Sequence, residues 1–451
     1  MTALQPARSG PLPEPAHDRI PFPVVDEISR HCLREEEPET VHIEVHLPRQ
    51  PDPDRLRAAF GEALRRHPRI LVREAPGPWY RRRYEWELTG TPDADPVGFP
   101  EPGPGALERA RARALAEAPP LSVSPPVRLE VVRPSSTGSS CVLVLTLNHT
   151  ALDGPACLRV LATAAELYSG TATSTASPVR TPVGGPGRPG QRPPARTGGP
   201  ARPARVAPAA DVRAAGGNGL LLAALPVPRR PAGARYTVND QLLVATCLMI
   251  ARWNRLHDAP PRPVRITMPI DDRPRGAEMP IGNGTRLVEV GFGAQECARA
   301  PGPEAVADLL HRTAERTRAL KSAPRPQLGH AAALLTAPAL PVGMRAALTR
   351  GLRRAAAPWT STTLLSNIGR IPYPLDFAEA GRAEAVWFSA PASMPRGLTV
   401  TTASTGGRLH LALRWSRALL DDAAGRRLCD FFTDCLEAMA ALPAISGGDG
   451  P

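Results

Sequence analysis

Cys141-Val142-Leu143-Val144-Leu145-Thr146-Leu147-Asn148-His149-Thr150-Ala151-Leu152-Asp153-Gly154-Pro155 is the segment from which the rest of the chain can be placed. Residues 141–147 are almost wholly apolar, as expected of a strand buried on both faces. The strand delivers Asn148-His149 at its carboxyl end. Pro155 then starts a helix that carries Leu158, Leu161, Ala165 and Tyr168 and closes at Gly170. An imidazole at the rim of a sheet, where ligands commonly lie in α/β architectures, can take a proton from an attacking hydroxyl or amine near neutral pH. Asp153 is expected to hold the loop by a charged hydrogen bond, and Gly154 to relieve crowding at the turn. On their own these residues also fit a hydrogen-bonded structural histidine ahead of a capped helix, and both readings stay open.

Upstream, Val41, Ile43, Val45 and Leu47 alternate with His42, Glu44 and His46, the pattern of a half-buried strand. Asp52-Pro53 opens a helix with Leu56, Ala59, Phe60, Ala63 and Leu64 at helical spacing, stopped by Pro68. Residues 106–118 read as an Ala-rich helix and 127–132 as a strand. Downstream, Thr237 and Asp240 stand at capping-box spacing ahead of an apolar helix to about Leu256. A strand over 264–270, a helical stretch over 303–321, strands near 385–389, 398–402 and 408–414, and an amphipathic helix over 421–440 follow. Residues 171–217 are rich in Pro, Gly, Ala and Arg without periodicity and read as a mobile linker. The expected organisation is an α/β protein of two lobes. A flexible N-terminus (1–20), a first lobe (21–170), the linker (171–217), a second lobe (218–443) and a flexible tail (444–451) succeed one another.

At 451 residues the chain is long enough for about two cores. Its net charge of +12 is no signature of nucleic-acid binding. Six of the arginines (Arg180, Arg188, Arg192, Arg196, Arg202, Arg205) sit in residues 171–210 with no acid, and aromatic residues for base stacking are only 4%. Lys321 is the only lysine, which excludes a Gly-x4-Gly-Lys-Ser/Thr phosphate loop. Seven cysteines without metal or disulfide spacing fit a reducing cytosol, so a cytoplasmic location is expected. No apolar run approaches the roughly 20 residues of a membrane span.

The segment around His149 resembles the HxxxDG signature of the condensation-domain and chloramphenicol-acetyltransferase-like superfamily, which includes BAHD acyltransferases, wax ester/diacylglycerol synthases and polyketide-associated acyltransferases. Further segments are similar in the right order: Leu64-Arg65-Arg66-His67-Pro68, Pro119-Pro120-Leu121 through Pro126-Val127-Arg128-Leu129, Tyr236-Thr237-Val238-Asn239-Asp240, Met268-Pro269-Ile270-Asp271-Asp272-Arg273-Pro274, Ile281-Gly282-Asn283 and Ser366-Asn367-Ile368-Gly369. The resemblance spans about residues 22–442 outside the linker. Asn148 stands where many relatives carry a first histidine, and a plant-type Asp-Phe-Gly-Trp-Gly loop is missing.

The resemblance implies two pseudo-symmetric lobes around a central cleft or channel, with His149 as general base and Asp153 and Gly154 completing the motif. It implies no bound cofactor. The acyl donor would be a thioester on coenzyme A or on the phosphopantetheine arm of an acyl-carrier protein, and the acceptor a small-molecule hydroxyl or amine, in specialised metabolism. Ser366, Asn367 and Asn148 are the candidate substrate or oxyanion contacts, the first two on a loop. Arg273 is the expected salt-bridge partner of Asp153, with Arg66 as second candidate. A free-standing condensation enzyme and a catalytically silent member that recruits a protein are the alternative functions.

Other residues invite weaker readings. His42 and His46 lie four apart, about 13 Å along a strand, too far to share an ion, so a solvated face is expected. Asn239 and Asp240 read as capping residues, and Arg81-Arg82-Arg83 as a solvated charge run.

Overall fold

The computed structural model describes residues 18–442 apart from 34–36, 172–200, 210–215, 232, 275, 277, 299–301, 324–327 and 329. The expected flexible ends, over 1–17 and 444–451, and residues 172–200 of the expected linker lie outside the described residues.

The first half runs β1 (Arg19–Pro21), α1 (Val24–Cys32), β2 (Thr40–Leu47), α2 (Pro53–Arg66), β3 (Val72–Glu74), β4 (Glu85–Leu88), β5 (Val97–Gly98), α3 (Ala106–Ala116), β6 (Val127–Val132), β7 (Cys141–Asn148) and α4 (Gly154–Ser169). The second runs β8 (Asn218–Pro226), α5 (Val238–Leu256), β9 (Val264–Asp271), β10 (Thr285–Phe292), α6 (Ala294–Ala298), α7 (Pro303–Ser322), α8 (His330–Leu335), α9 (Val342–Ala356), β11 (Thr363–Arg370), β12 (Ala385–Ser389), β13 (Leu398–Thr405), β14 (Arg408–Ser416) and α10 (Asp422–Ala440). Two large sheets result, ordered β12-β2-β7-β6-β5 and β10-β9-β11-β13-β14-β8, with a small sheet β1-β4-β3 beside the first.

Strand β7 is buried along its whole length, between β2 and β6. Successive side chains point to opposite faces, so Leu143, Leu145 and Leu147 join one apolar cluster with residues of α2 and α4, while Val142 and Val144 meet Ala106, Ala110 and Ala114 of α3. Helix α4 is apolar nearly all round and correspondingly buried. Asp153 caps its start by accepting from Ala156 N, and Gly170, at φ 72°, ends it.

Strand β2 departs from the half-buried expectation. Its even-numbered face lies under α3, so His42 and Glu44 are fully buried. Arg111 of α3 donates to both Glu44 oxygens, at 2.7 and 2.8 Å, and His42 and His46 add nitrogens at 2.9 and 3.1 Å. Burial opposes ionisation of Glu44, yet hydrogen bonds from Arg111, His42 and His46 hold its carboxyl well below the usual range. The expected solvated face is an internal charge network. Among the described residues no group of His, Cys, Asp and Glu is arranged to hold a metal, and no helix is long and apolar enough to cross a membrane.

The expected lobe boundaries also need correction. Strand β12 pairs antiparallel with β2, and helix α9 packs on α1, so both join the first lobe although they follow residue 218. Residues 19–20, expected to be flexible, pair with β4. Residues 201–209, expected to be linker, are a packed strap. Ala204, Val206 and Ala207 are buried, Ala207 O accepts from Trp253 Nε1 at 2.8 Å, and Asn254 Oδ1 accepts from Ala207 N at 2.9 Å. Proline-rich composition concealed three small apolar side chains and backbone groups that find partners on α5.

Candidate active site

The motif loop leaves β7 with its backbone pinned: His149 N donates to Glu39 O at 2.8 Å, and Ala151 N and Leu152 N both donate to Asn148 O. His149 Nδ1 lies 2.9 Å from Leu152 O. A carbonyl oxygen only accepts, so Nδ1 carries a proton, and in the neutral ring Nε2 is the nitrogen with the lone pair. The ring lines a cavity of about 310 Å³. Its wall includes Val25 and Ile28 of α1, Leu158 of α4, Ser366 and Asn367 of β11, and Phe388 of β12. Both lobes therefore build it.

Asp153 is 2% exposed and fully engaged. Arg273 Nη2 lies 3.0 and 2.7 Å from its two oxygens, and Gly284 N donates to Oδ2 at 2.9 Å. The same guanidinium reaches Asp271 through Nε at 2.8 Å and Nη2 at 2.9 Å, and Pro280 O and Gly282 O through Nη1. Burial works against its charge, but Asp153 and Asp271 hold the guanidinium above its ordinary range. Arg66, the second candidate, pairs with Glu62. Asn283 locks the loop from the other side: its Nδ2 donates to Thr150 O at 2.9 Å, His149 O at 3.2 Å and Asp26 Oδ1 at 2.9 Å.

Three expectations change. Asn148 does not line the cavity: its side chain is buried, with Nδ2 donating to Pro119 O at 3.0 Å and Oδ1 accepting from Thr150 N at 3.1 Å. It shapes the loop from outside the cavity lining. Gly154 relieves no crowding, since a Cβ there would meet Val41 and Phe388 at 3.7 and 3.9 Å, ordinary contact distances; it lines the cavity. Ser366 and Asn367 stand within strand β11, where the register with β13 shifts between Asn367 and Gly369, and not on a free loop.

Asn367 Oδ1 accepts from Gly369 N and Thr402 Oγ1, and its Nδ2 donates one hydrogen to Asn239 Oδ1 at 3.3 Å, leaving the other N–H. Asn239 is thus a support for Asn367 as well as a first-turn residue, whereas Asp240 closes the capping box with Thr237 and also accepts from Thr317 Oγ1. Arg81, expected in a solvated run, donates to Glu74 at 2.6 Å and stacks over Tyr84. Sequence reasoning missed Cys32, Glu39, Arg353, Ser393 and Arg396, which line the same cavity. They come from unrelated segments, and no motif joins them.

No protein-family model matches the chain. The uncharacterized protein Rv2305 of Mycobacterium tuberculosis strain H37Rv is 29% identical over 427 residues, 88% of this chain and 94% of that protein. Among solved structures, the TRI3 trichothecene 15-O-acetyltransferase of Fusarium sporotrichioides superposes with a TM-score of 0.65 at 13% identity, over 93% of this chain and 95% of that one. The condensation domain of the monacolin K polyketide synthase MokA gives 0.61 at 13% identity, over 95% and 98%. The fold is the one shared by this acetyltransferase and this condensation domain. The first condensation domain of the CDA synthetase is a further structural neighbour, with a TM-score of 0.58 at 15% identity over 90% of this chain and 91% of that one. The likeness extends over both lobes.

Proposed function

We propose that the protein transfers an acyl group from a thioester to a hydroxyl or amine acceptor, with His149 as general base. The observation that carries this reading is the His149 ring. Its Nδ1 proton is committed to Leu152 O and its Nε2 lone pair is free, on a wall of the cavity that both lobes enclose. The acceptor O–H or N–H gives its proton to Nε2 as its heavy atom attacks the thioester carbonyl carbon. The tetrahedral oxyanion is stabilised by the free N–H of Asn367 or the Ser366 hydroxyl, both on the cavity wall. Collapse expels the thiolate, which takes the proton back from the imidazolium, giving ester or amide and free thiol. Asp153 and Arg273 act through the loop they hold, not on substrate. Coenzyme A and carrier-protein phosphopantetheine are both thiols that this chemistry would release.

The test is a panel of acyl-CoAs and acyl-carrier proteins with hydroxyl and amine acceptors, followed by thiol release and product mass. Acceptor-dependent thiol release is expected. Absence of turnover across donors of both kinds, from a protein that still binds them, would favour a recruitment role.

A further inference from the structure

Two cationic side chains share the cavity with His149 and have no part in the reaction just described. Arg353 of α9 and Arg396, which precedes β13, both line it. Among the described residues no carboxylate lies within ion-pair distance of either guanidinium, although arginine pairs are abundant elsewhere in the chain. Arg396 is held by hydroxyls only, with Nε 3.1 Å from Ser361 Oγ and Nη2 3.5 Å from Thr267 Oγ1. Arg353 has the Cys32 thiol beside it. The carboxylate of Glu39 lines the same cavity and accepts from Ser393 Oγ at 3.4 Å. Glu37, the other acid that Arg353 senses, is buried and accepts from Ser416 Oγ at 2.6 Å and Met394 N at 2.9 Å, close to the buried Arg414. Of the three carboxylates in the lining, Asp153 and Asp271 are taken by Arg273, which leaves Arg353 and Arg396 with Glu39. Burial first, and then the neighbouring Arg353, push the Arg396 guanidinium down to about 10, whereas at Arg353 burial is outweighed by Cys32, Glu39 and Glu37, which hold that guanidinium above its ordinary range.

The rest of the lining is mostly apolar: Val25, Ile28, Leu158, Leu364, Ile368 and Phe388. We propose that Arg353 and Arg396 form a subsite for a carboxylate on the substrate, so that the molecule held beside His149 is an amphiphilic acid with an apolar body. Planar guanidinium forks match a carboxylate with paired hydrogen bonds. The carboxylate belongs either to the acyl chain of the donor or to the acceptor. The reactive consequence of the subsite rests on the acyl-transfer reading; the subsite itself does not.

Equilibrium binding therefore tests it without turnover. Octanoate and its neutral isostere octanamide are titrated calorimetrically into the wild-type protein, R353Q, R396Q and the double variant, with circular dichroism to show that each folds. Octanoate is expected to bind the wild type about 10- to 100-fold more tightly than octanamide, the worth of charge-assisted hydrogen bonds. Each single variant should lower that ratio and the double variant abolish it. If the variants fail to fold, the wild-type ratio alone decides. A ratio near one in the wild type, including no binding of either compound, overturns the proposal, as does a ratio that survives in a folded double variant. Octanedioyl-CoA against octanoyl-CoA then probes the donor as the source of the carboxylate, and 8-hydroxyoctanoate against 8-hydroxyoctanamide the acceptor. Discrimination without any thiol release would leave the subsite standing and remove the transfer reaction. Thiol release without discrimination would do the reverse.

Discussion

His149 is worth testing first because, in the proposed reaction, its two ring nitrogens have separate tasks: Nδ1 is held by Leu152 O and the other is left for the acceptor. His149→Ala is expected to lower turnover by about 10²- to 10⁴-fold, the usual worth of a positioned base. The melting transition should be little changed, since the ring borders a cavity. A near-normal rate in that variant would remove His149 from the mechanism. The Asp153–Arg273 pair belongs to the same scale. Arg273 serves two carboxylates, Asp153 and Asp271, so Arg273→Ala strands both, whereas Asp153→Asn leaves Arg273 with Asp271. Arg273→Ala should cost about 3–5 kcal/mol and Asp153→Asn less. In a denaturation cycle the double variant should lose less than the sum, and additive losses would show that the two do not act as partners. Asp153 and Arg273 could be paired from the sequence through the resemblance. Asp271, two residues from Arg273, was in view too, but no local rule assigns one guanidinium to two acids.

At the scale of elements, the segment after β9 is built around the passage of Arg273. Gly284 N donates to Asp153, and a Cβ on Gly284 would stand 2.3–2.4 Å from side-chain atoms of Arg273. Arg273 is pinned at both ends, so it has little room to yield. Gly284→Ala should destabilise the protein by about 1–3 kcal/mol, as overpacking does, and lower activity by displacing the motif loop. An unchanged urea midpoint would show that the loop accommodates the methyl group. Elements with strong local signals were legible: α4 with its Asp153 cap, α5 with the Thr237–Asp240 box, and β7 with its apolar run. Elements such as β8, α9 and β11 were not, because each carries mixed or sparse periodicity and is stabilised by what covers it. The strap over 201–209 is the extreme case, with no periodic pattern and four buried residues, Pro203, Ala204, Val206 and Ala207.

For the whole molecule, the first lobe is completed by strand β12 and helix α9 from the second half of the chain. A fragment of residues 18–171 would leave the β2 edge unpaired and the α1 face uncovered. It should aggregate or lack a cooperative melting transition, and a soluble, cooperatively folding fragment would contradict this assembly. Acid stability is also collective. Burial, helped by nearby arginines, pushes His31 and His67 down to about 4, so both are neutral in the folded state. The unfolded chain takes up these protons below about pH 6.5. It then binds more protons than the native state, so stability falls as pH drops from about 6.5 to about 4. Buried Asp26, pushed up to about 6, works in the opposite direction over part of that window. His67→Gln should flatten the dependence by up to about 1.4 kcal/mol per pH unit, read from urea unfolding at several pH values. An unchanged slope would mean that His67 is protonated in the fold.

The sequence by itself determined the two-lobed α/β class, the strand that ends at His149, the helix capped by Asp153 and the order of the superfamily-like segments. These are local patterns, set by periodicity, capping and turn chemistry within a few residues. Only the tertiary structure decided that β12 crosses to β2, that Glu44 is buried among His42, His46 and Arg111, and that Asn148 turns away from the cavity. It alone also brought Arg353 and Arg396 to the cavity of His149. Burial and charge pairing depend on which surfaces meet. Residues separated by more than 300 positions meet here because β12 and α9 pack against a lobe begun far earlier in the chain.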